Sequence, residues 1–257
     1  MTIERFRIAI ADAQLADLGD RLARTRWAEE FANEDWCYGV QGGYLRDLVA
    51  CWRDGYDWRA QEAAMNRFDH FRTRIDGVPI HFLRAEGKGP SPVPLIMSHG
   101  WPWTFWDWHK LIGPLSDPAS HGGDPADAFE LIVPSMPGYA FSSPLRTPGI
   151  NGVVTADLWA KLMTKLGHAR FAAHGGDWGA FVTAQLGHAY PDRLIGIHML
   201  NGAPLDAAAQ PLPPESAYAA DEAGWHARTA AFFAAGFGYA AVQSTRPQTL
   251  AWALEDS

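Results

Sequence analysis

One short stretch limits what this chain can become. At 170–174 an apolar run passes without a linker into Gly175-Gly176-Asp177-Trp178-Gly179, and a helical pattern follows as far as Pro191. A strand that turns into a helix this abruptly leaves no room for side chains two positions before or after its central residue. It also holds that residue in a strained backbone conformation. Gly175 and Gly179 meet the steric demand, so Asp177 is the residue held at the bend. The helix that begins there turns its positive end on any negative charge that forms. Such an elbow usually presents a serine. A carboxylate is anionic at neutral pH without help from a base, which suits it to displacement at a saturated carbon and to forming an alkyl ester. Breaking that ester with water does require a base.

The flanking pattern predicts a mostly parallel sheet covered by helices. HFRTRI (70–75) and PIHFLRA (79–85) are separated by Asp76-Gly77, a two-residue hairpin signal. Apolar strands are expected at 93–98, 129–133, 170–174 and 194–200. A helix over about 153–166 carries Leu158, Leu162 and Leu166 on one face and closes on Gly167. Apolar strands alternating with helices define an α/β architecture.

Three segments are expected. Residues 1–68 read as a tryptophan-rich helical wrap, 69–204 as the sheet core, and 205–257 as the start of a helical lid. In the wrap, Asp12 is placed to cap a helix with Leu15, Leu18 and Leu22 on one face. A second helix follows Gly42-Gly43 with Tyr44, Leu45, Leu48, Val49 and Trp52 along a stripe. Both stripes read as core packing, and DWCYGV (35–40) between them as an irregular connection. The lid begins with the proline-rich APLDAAAQPLPPES and continues alanine- and aromatic-rich. Cys37 and Cys51 fit no zinc or disulfide spacing and read as buried thiols in a reducing compartment.

Composition excludes some partners. A net charge of −8 without a basic stripe argues against nucleic acid. The chain shows neither a signal-peptide pattern nor an apolar run long enough to span a bilayer. A cytoplasmic protein without a membrane anchor is expected.

A second motif, Ser98-His99-Gly100-Trp101-Pro102, directly follows a strand. The main-chain N–H of Trp101, with that of Trp178 just after Asp177, would form an oxyanion hole. The Trp101-Pro102 bond is a candidate for the cis form. His99 reads as ordering this loop through ring hydrogen bonds rather than as a catalyst. The run Pro134-Ser135-Met136-Pro137-Gly138-Tyr139 reads as a turn. Tyr239, in the lid, carries a phenol able to protonate a departing oxygen, although an aromatic in so aromatic a segment also reads as packing.

These residues together resemble the epoxide hydrolase family, specifically its microsomal and juvenile-hormone branch. The likeness rests on TRW (25–27), DWCYGV (35–40), YL (44–45) and WRDGYDWRAQE (52–62) leading to HFRTRIDGVPIHF. It extends through HGWP (99–102), PSMPGYAFS (134–142), GGDWGA (175–180) and the lid run 238–257. It implies an α/β-hydrolase fold with a lid, Asp177 as nucleophile, Trp101 and Trp178 as oxyanion-hole donors, and Tyr239 as one of two lid tyrosines polarising the epoxide oxygen. The implied reaction adds water to an epoxide, giving a vicinal diol, with no metal or organic cofactor. The aromatic lid implies an apolar substrate.

Departures exist. Trp103 and Ala140 stand where the family usually has glycine, and the membrane-anchoring helix of microsomal members has no counterpart. Family members continue beyond the lid to strands carrying the second tyrosine, an acid and the histidine that activates water. Asp177 is therefore expected to attack, with turnover impaired for want of the base, and the last strand to leave an apolar edge uncovered. On this reading the chain is a fragment. Two alternatives remain at this stage: a haloalkane dehalogenase-like enzyme, sharing the Asp-Trp elbow, and a non-catalytic hydrolase fold. A serine esterase is disfavoured because Ser98 and Ser135 lie in no elbow.

Overall fold

The computed structural model describes residues 2–202 and 212–256. Two compact units are present: one drawn from 1–9 and 58–208, the other from 10–57 and 209–257. The first carries a seven-stranded mixed sheet of β1 (Glu4–Phe6), β2 (Asp69–Ile75), β3 (Val78–Ala85), β4 (Val93–Ser98), β5 (Phe129–Pro134), β6 (Phe171–Gly175) and β7 (Leu194–Met199). In chain order, helices α1 (Asp12–Ala23) and α2 (Gly42–Gly55) belong to the second unit. Helices α3 (Trp58–Met65), α4 (His109–Ser116), α5 (Gly152–Lys165) and α6 (Trp178–Ala189) belong to the first. Helices α7 (Trp225–Gly236), α8 (Gly238–Thr245) and α9 (Pro247–Asp256) return to the second.

The strand order is β1-β2-β3-β5-β4-β6-β7. Pairing is antiparallel from β1 to β5 and parallel from β5 through β4 and β6 to β7. The Asp76-Gly77 hairpin forms as expected. Both residues have positive φ (51° and 83°), the backbone a tight two-residue turn between twisted strands requires. Helix α5 ends on Gly167 (φ 91°), with His168 N–H bonded to Met163 O and Gly167 N–H to Thr164 O, so the last carbonyls are satisfied.

The core sits on the two faces of the sheet. Phe82, Ile96, Ile132, Trp159, Leu162, Phe171 and Val182 are buried in one cluster. The indole N–H of fully buried Trp159 donates to Ser98 Oγ at 3.0 Å, so its one polar atom is satisfied. Buried histidines are satisfied too. His70 Nε2 faces Met65 O and must donate, so its Nδ1 accepts from His81 Nε2 at 3.0 Å, and His81 Nδ1 accepts from Ser135 Oγ at 2.9 Å. Burial pushes both imidazoles below their ordinary pKa, His81 well below.

Several expectations need correction. The division at residue 68 is redrawn because β1 pairs with β2 (Glu4 opposite Arg72, Phe6 opposite His70) and Asn66 bonds the main chain of Ile8. These ties bring 1–9 and 58–68 into the sheet unit. The α1 cap is Ala11, whose N–H donates to Gln14 Oε1, and Asp12 is the first helical residue instead. The stripes on α1 and α2 are not core: neither helix has a buried residue, and Tyr44, Leu45, Leu48 and Trp52 are exposed. Cys37, in the turns before α2, and Cys51, on α2, are likewise exposed.

The 35–40 segment is irregular as expected. Buried Asn33 holds it, donating to Glu30 Oε1 and Gly39 O and accepting from Tyr38 N–H. Much of the expected proline-rich linker, 203–211, lies outside the described residues, and α7 to α9 make the expected lid segment helical. Among the described residues no helix is long and apolar enough to cross a membrane. Strand β7 presents Ile195 and Ile197 to solvent.

Candidate active site

The reversal of strand order places β4 between β5 and β6, so the loops leaving these three parallel strands share one edge of the sheet. This is the switch point where open α/β sheets form their sites. The three loops are the ones whose sequence singled them out: 99–102 after β4, 135–142 after β5 and 176–177 after β6.

Asp177 occupies the elbow with φ 53° and ψ −124°, a strained conformation for a residue bearing a side chain. The glycines around it are demanded by packing. A Cβ on Gly175 would overlap the carbonyl of Gly179, one on Gly179 the carbonyl of Ser98, and one on Gly100 the side chain of Asp177 itself. The carboxylate is thus pressed against the β4 loop. Trp101 N–H donates to Asp177 Oδ1 at 2.9 Å, and the Trp101-Pro102 bond is cis. Trp178 opens helix α6, so its N–H is among those the helix start leaves without an intrahelical partner. Its indole is half exposed, tilted on Phe181 at 5.4 Å.

Two residues enter this site that the sequence reading did not select. Asn201, just past β7, accepts the Asp177 N–H on Oδ1 at 2.7 Å and so braces the strained peptide from outside the motif. Tyr139 stands half-buried beside the carboxylate. Burial raises its phenol pKa, and the negative charge of Asp177 raises it further. The only signal for Asn201 was an Asn-Gly pair after the last strand, and for Tyr139 a Pro-Gly-Tyr turn.

His99 orders the loop as expected. It is fully buried, its Nε2 accepts Met136 N–H at 3.0 Å, and its Nδ1 donates to Gly100 O at 2.9 Å. Burial pushes its pKa down. His174, at the end of β6, shares a 2.8 Å Nδ1–Nδ1 hydrogen bond with His198 and lies edge-on to Trp108. Burial, then the neighbouring His198, lowers its pKa. Tyr239 lies at the start of α8 in the other unit, its ring 5.8 Å from that of Phe237.

A sheet of this order with an acidic elbow at its switch point defines an α/β hydrolase, and residues 93–238 match the α/β-hydrolase fold family. Residues 3–108 match the family described as the epoxide hydrolase N terminus. A protein of Stigmatella aurantiaca is 44% identical over 257 residues, covering 99% of this chain and 57% of its own. Epoxide hydrolase 1 of Oryctolagus cuniculus is 38% identical over 202 residues, covering 77% of this chain and 44% of its own. The crystal structure of juvenile hormone epoxide hydrolase from Bombyx mori superposes with a TM-score of 0.82 at 27% identity, over 100% of this chain and 60% of that one. The chain belongs to the epoxide hydrolase family, in its microsomal and juvenile-hormone branch. It spans about half the length of these curated relatives.

Proposed function

We propose that this chain carries the nucleophilic half-reaction of an epoxide hydrolase acting on an apolar epoxide. The observation supporting it is the grip of Trp101 N–H on Asp177 Oδ1 at a residue held at positive φ. With one carboxylate oxygen held, the other, Oδ2, is the attacking atom. Oδ2 forms a bond to a ring carbon, the ring C–O bond breaks, and the departing oxygen takes a proton from Tyr239. The product is an ester in which Oδ1 is the carbonyl oxygen.

Water then adds to Cγ of that ester. Negative charge develops on Oδ1, where the N–H groups of Trp101 and Trp178 stabilise it. Cleavage of the Cγ–Oδ2 bond returns the carboxylate; of the water's two protons, one passes to the leaving Oδ2 to complete the diol and the other restores the Tyr239 phenol. The water needs a base, and neither histidine next to these loops fits that role: His99 has both ring nitrogens engaged, and His174 is paired with His198. Ester formation is therefore expected to outpace ester hydrolysis in this chain.

Intact-mass measurement after mixing with styrene oxide tests this. The expected result is one persistent adduct per chain, mapped to Asp177 and absent from Asp177→Ala. Rapid multiple turnover contradicts the slow second step, and no adduct at all contradicts the nucleophile.

A further inference from the structure

The Gly100–Trp101 peptide is gripped at both ends. Its N–H donates to Asp177 Oδ1, and its C=O accepts from His99 Nδ1, each at 2.9 Å. In a planar trans peptide these two groups point in opposite directions. The amide cannot swing away from the carboxylate without pulling its carbonyl off the imidazole, leaving buried polar groups unpaired.

The imidazole cannot easily turn either. Met136 N–H donates to its Nε2, the ring of Tyr139 stands edge-on at 5.2 Å, and the side chain is fully buried. The partners also decide the tautomer: Nε2 accepts, so Nδ1 carries the proton. All the donors run one way, from Met136 through His99 and the peptide to the carboxylate, and aligned hydrogen bonds polarise one another.

We propose that His99 is a positioning residue that, as the neutral Nδ1–H tautomer, fixes and polarises the Trp101 amide against Asp177. This rests on the reading of Asp177 as nucleophile. A charged imidazolium would turn an Nε2–H against the Met136 N–H and break the chain at its first link. Burial opposes that charge more strongly than the bond to Gly100 O favours it. The titratable groups facing this unit are the Tyr139 phenol and, across the peptide, Asp177.

Two substitutions separate positioning from bulk. H99N keeps a donor where Nδ1 stands but cannot reach Met136. H99Q reaches Met136 N–H but offers Gly100 O no donor. After labelling with styrene oxide, H99Q should slow loss of the Asp177 ester by about tenfold, and formation by less, since charge builds on Oδ1 only in the second step. H99N should recover most of that loss. Equal rates in H99N, H99Q and the wild type overturn the proposal, as do equal losses in both variants. A wild type that forms no adduct refutes the nucleophile reading instead.

Histidine-selective ¹⁵N NMR of the wild-type chain needs no variant and no turnover. The expected spectrum shows His99 protonated at Nδ1 only and still neutral at pH values where exposed histidines have titrated. An Nε2–H tautomer, or ordinary titration, overturns the proposal.

Discussion

The two units differ in what they do with apolar residues. The sheet unit has a true interior: Phe82, Phe105, Trp159 and Phe171 are fully buried, and His70, His81 and His99 are hydrogen-bonded there in defined tautomers. In the helical unit Asn33 is the one buried residue among those described, while Phe31, Tyr38, Phe232 and Trp252 are exposed. Both have strong apolar patterns. A period of 3.6 establishes that a helix has a face but not that anything covers it, whereas a continuous apolar strand hydrogen-bonded on both sides is covered wherever helices flank the sheet.

Substitutions can break or sharpen this contrast. Trp159→Ala removes a fully buried indole and its bond to Ser98, and should cost about 3–5 kcal/mol in urea unfolding of the sheet unit. A cost below about 1 kcal/mol would erase the difference between the units. Asn33→Ala leaves the Tyr38 and Gly39 main chain unpaired, and should lower the stability of the helical unit by about 1–3 kcal/mol. An unchanged unfolding midpoint would show that side chain to be incidental.

Ala140→Gly should act the other way. Ala140 has φ 41°, and removing its Cβ should raise the stability of the sheet unit by about 0.5–1 kcal/mol. The same glycine stands there in the family pattern, so a loss on substitution would mean that Ala140 makes a contact worth more than its strain. Smallest of all, Trp52→Ala on the open face of α2 should change stability by no more than about 0.5 kcal/mol. A larger cost would mean that the α2 stripe is packed after all.

The same contrast explains what could be read in advance. The hairpin, the elbow, the cis-proline loop and the helix closing on Gly167 were legible because each leaves its mark in a few consecutive residues. The exposure of Tyr44, Leu48 and Cys51 was not, since it depends on what lies opposite. Strand β1 was missed because Glu4–Phe6 is too short to show a period and is a strand only by pairing with β2. Asn201 and Tyr139 escaped for a related reason: sequence separation hides that both stand beside Asp177. The bend at Asp177, the Trp101 N–H that meets its carboxylate and the ring hydrogen bonds of His99 in its loop were legible. The braces around them were not.

The interleaving of β4 between β5 and β6 has a consequence in time. The loops around Asp177 come from segments far apart in the chain, and none can reach the others until the parallel strands have aligned. Contacts of that separation form slowly. The positive φ of Asp177 is therefore expected to be acquired late, when the residues that follow β4 and β7 are present to hold it. A free peptide of residues 170–190 would contain every letter of the bend and relax out of its shape.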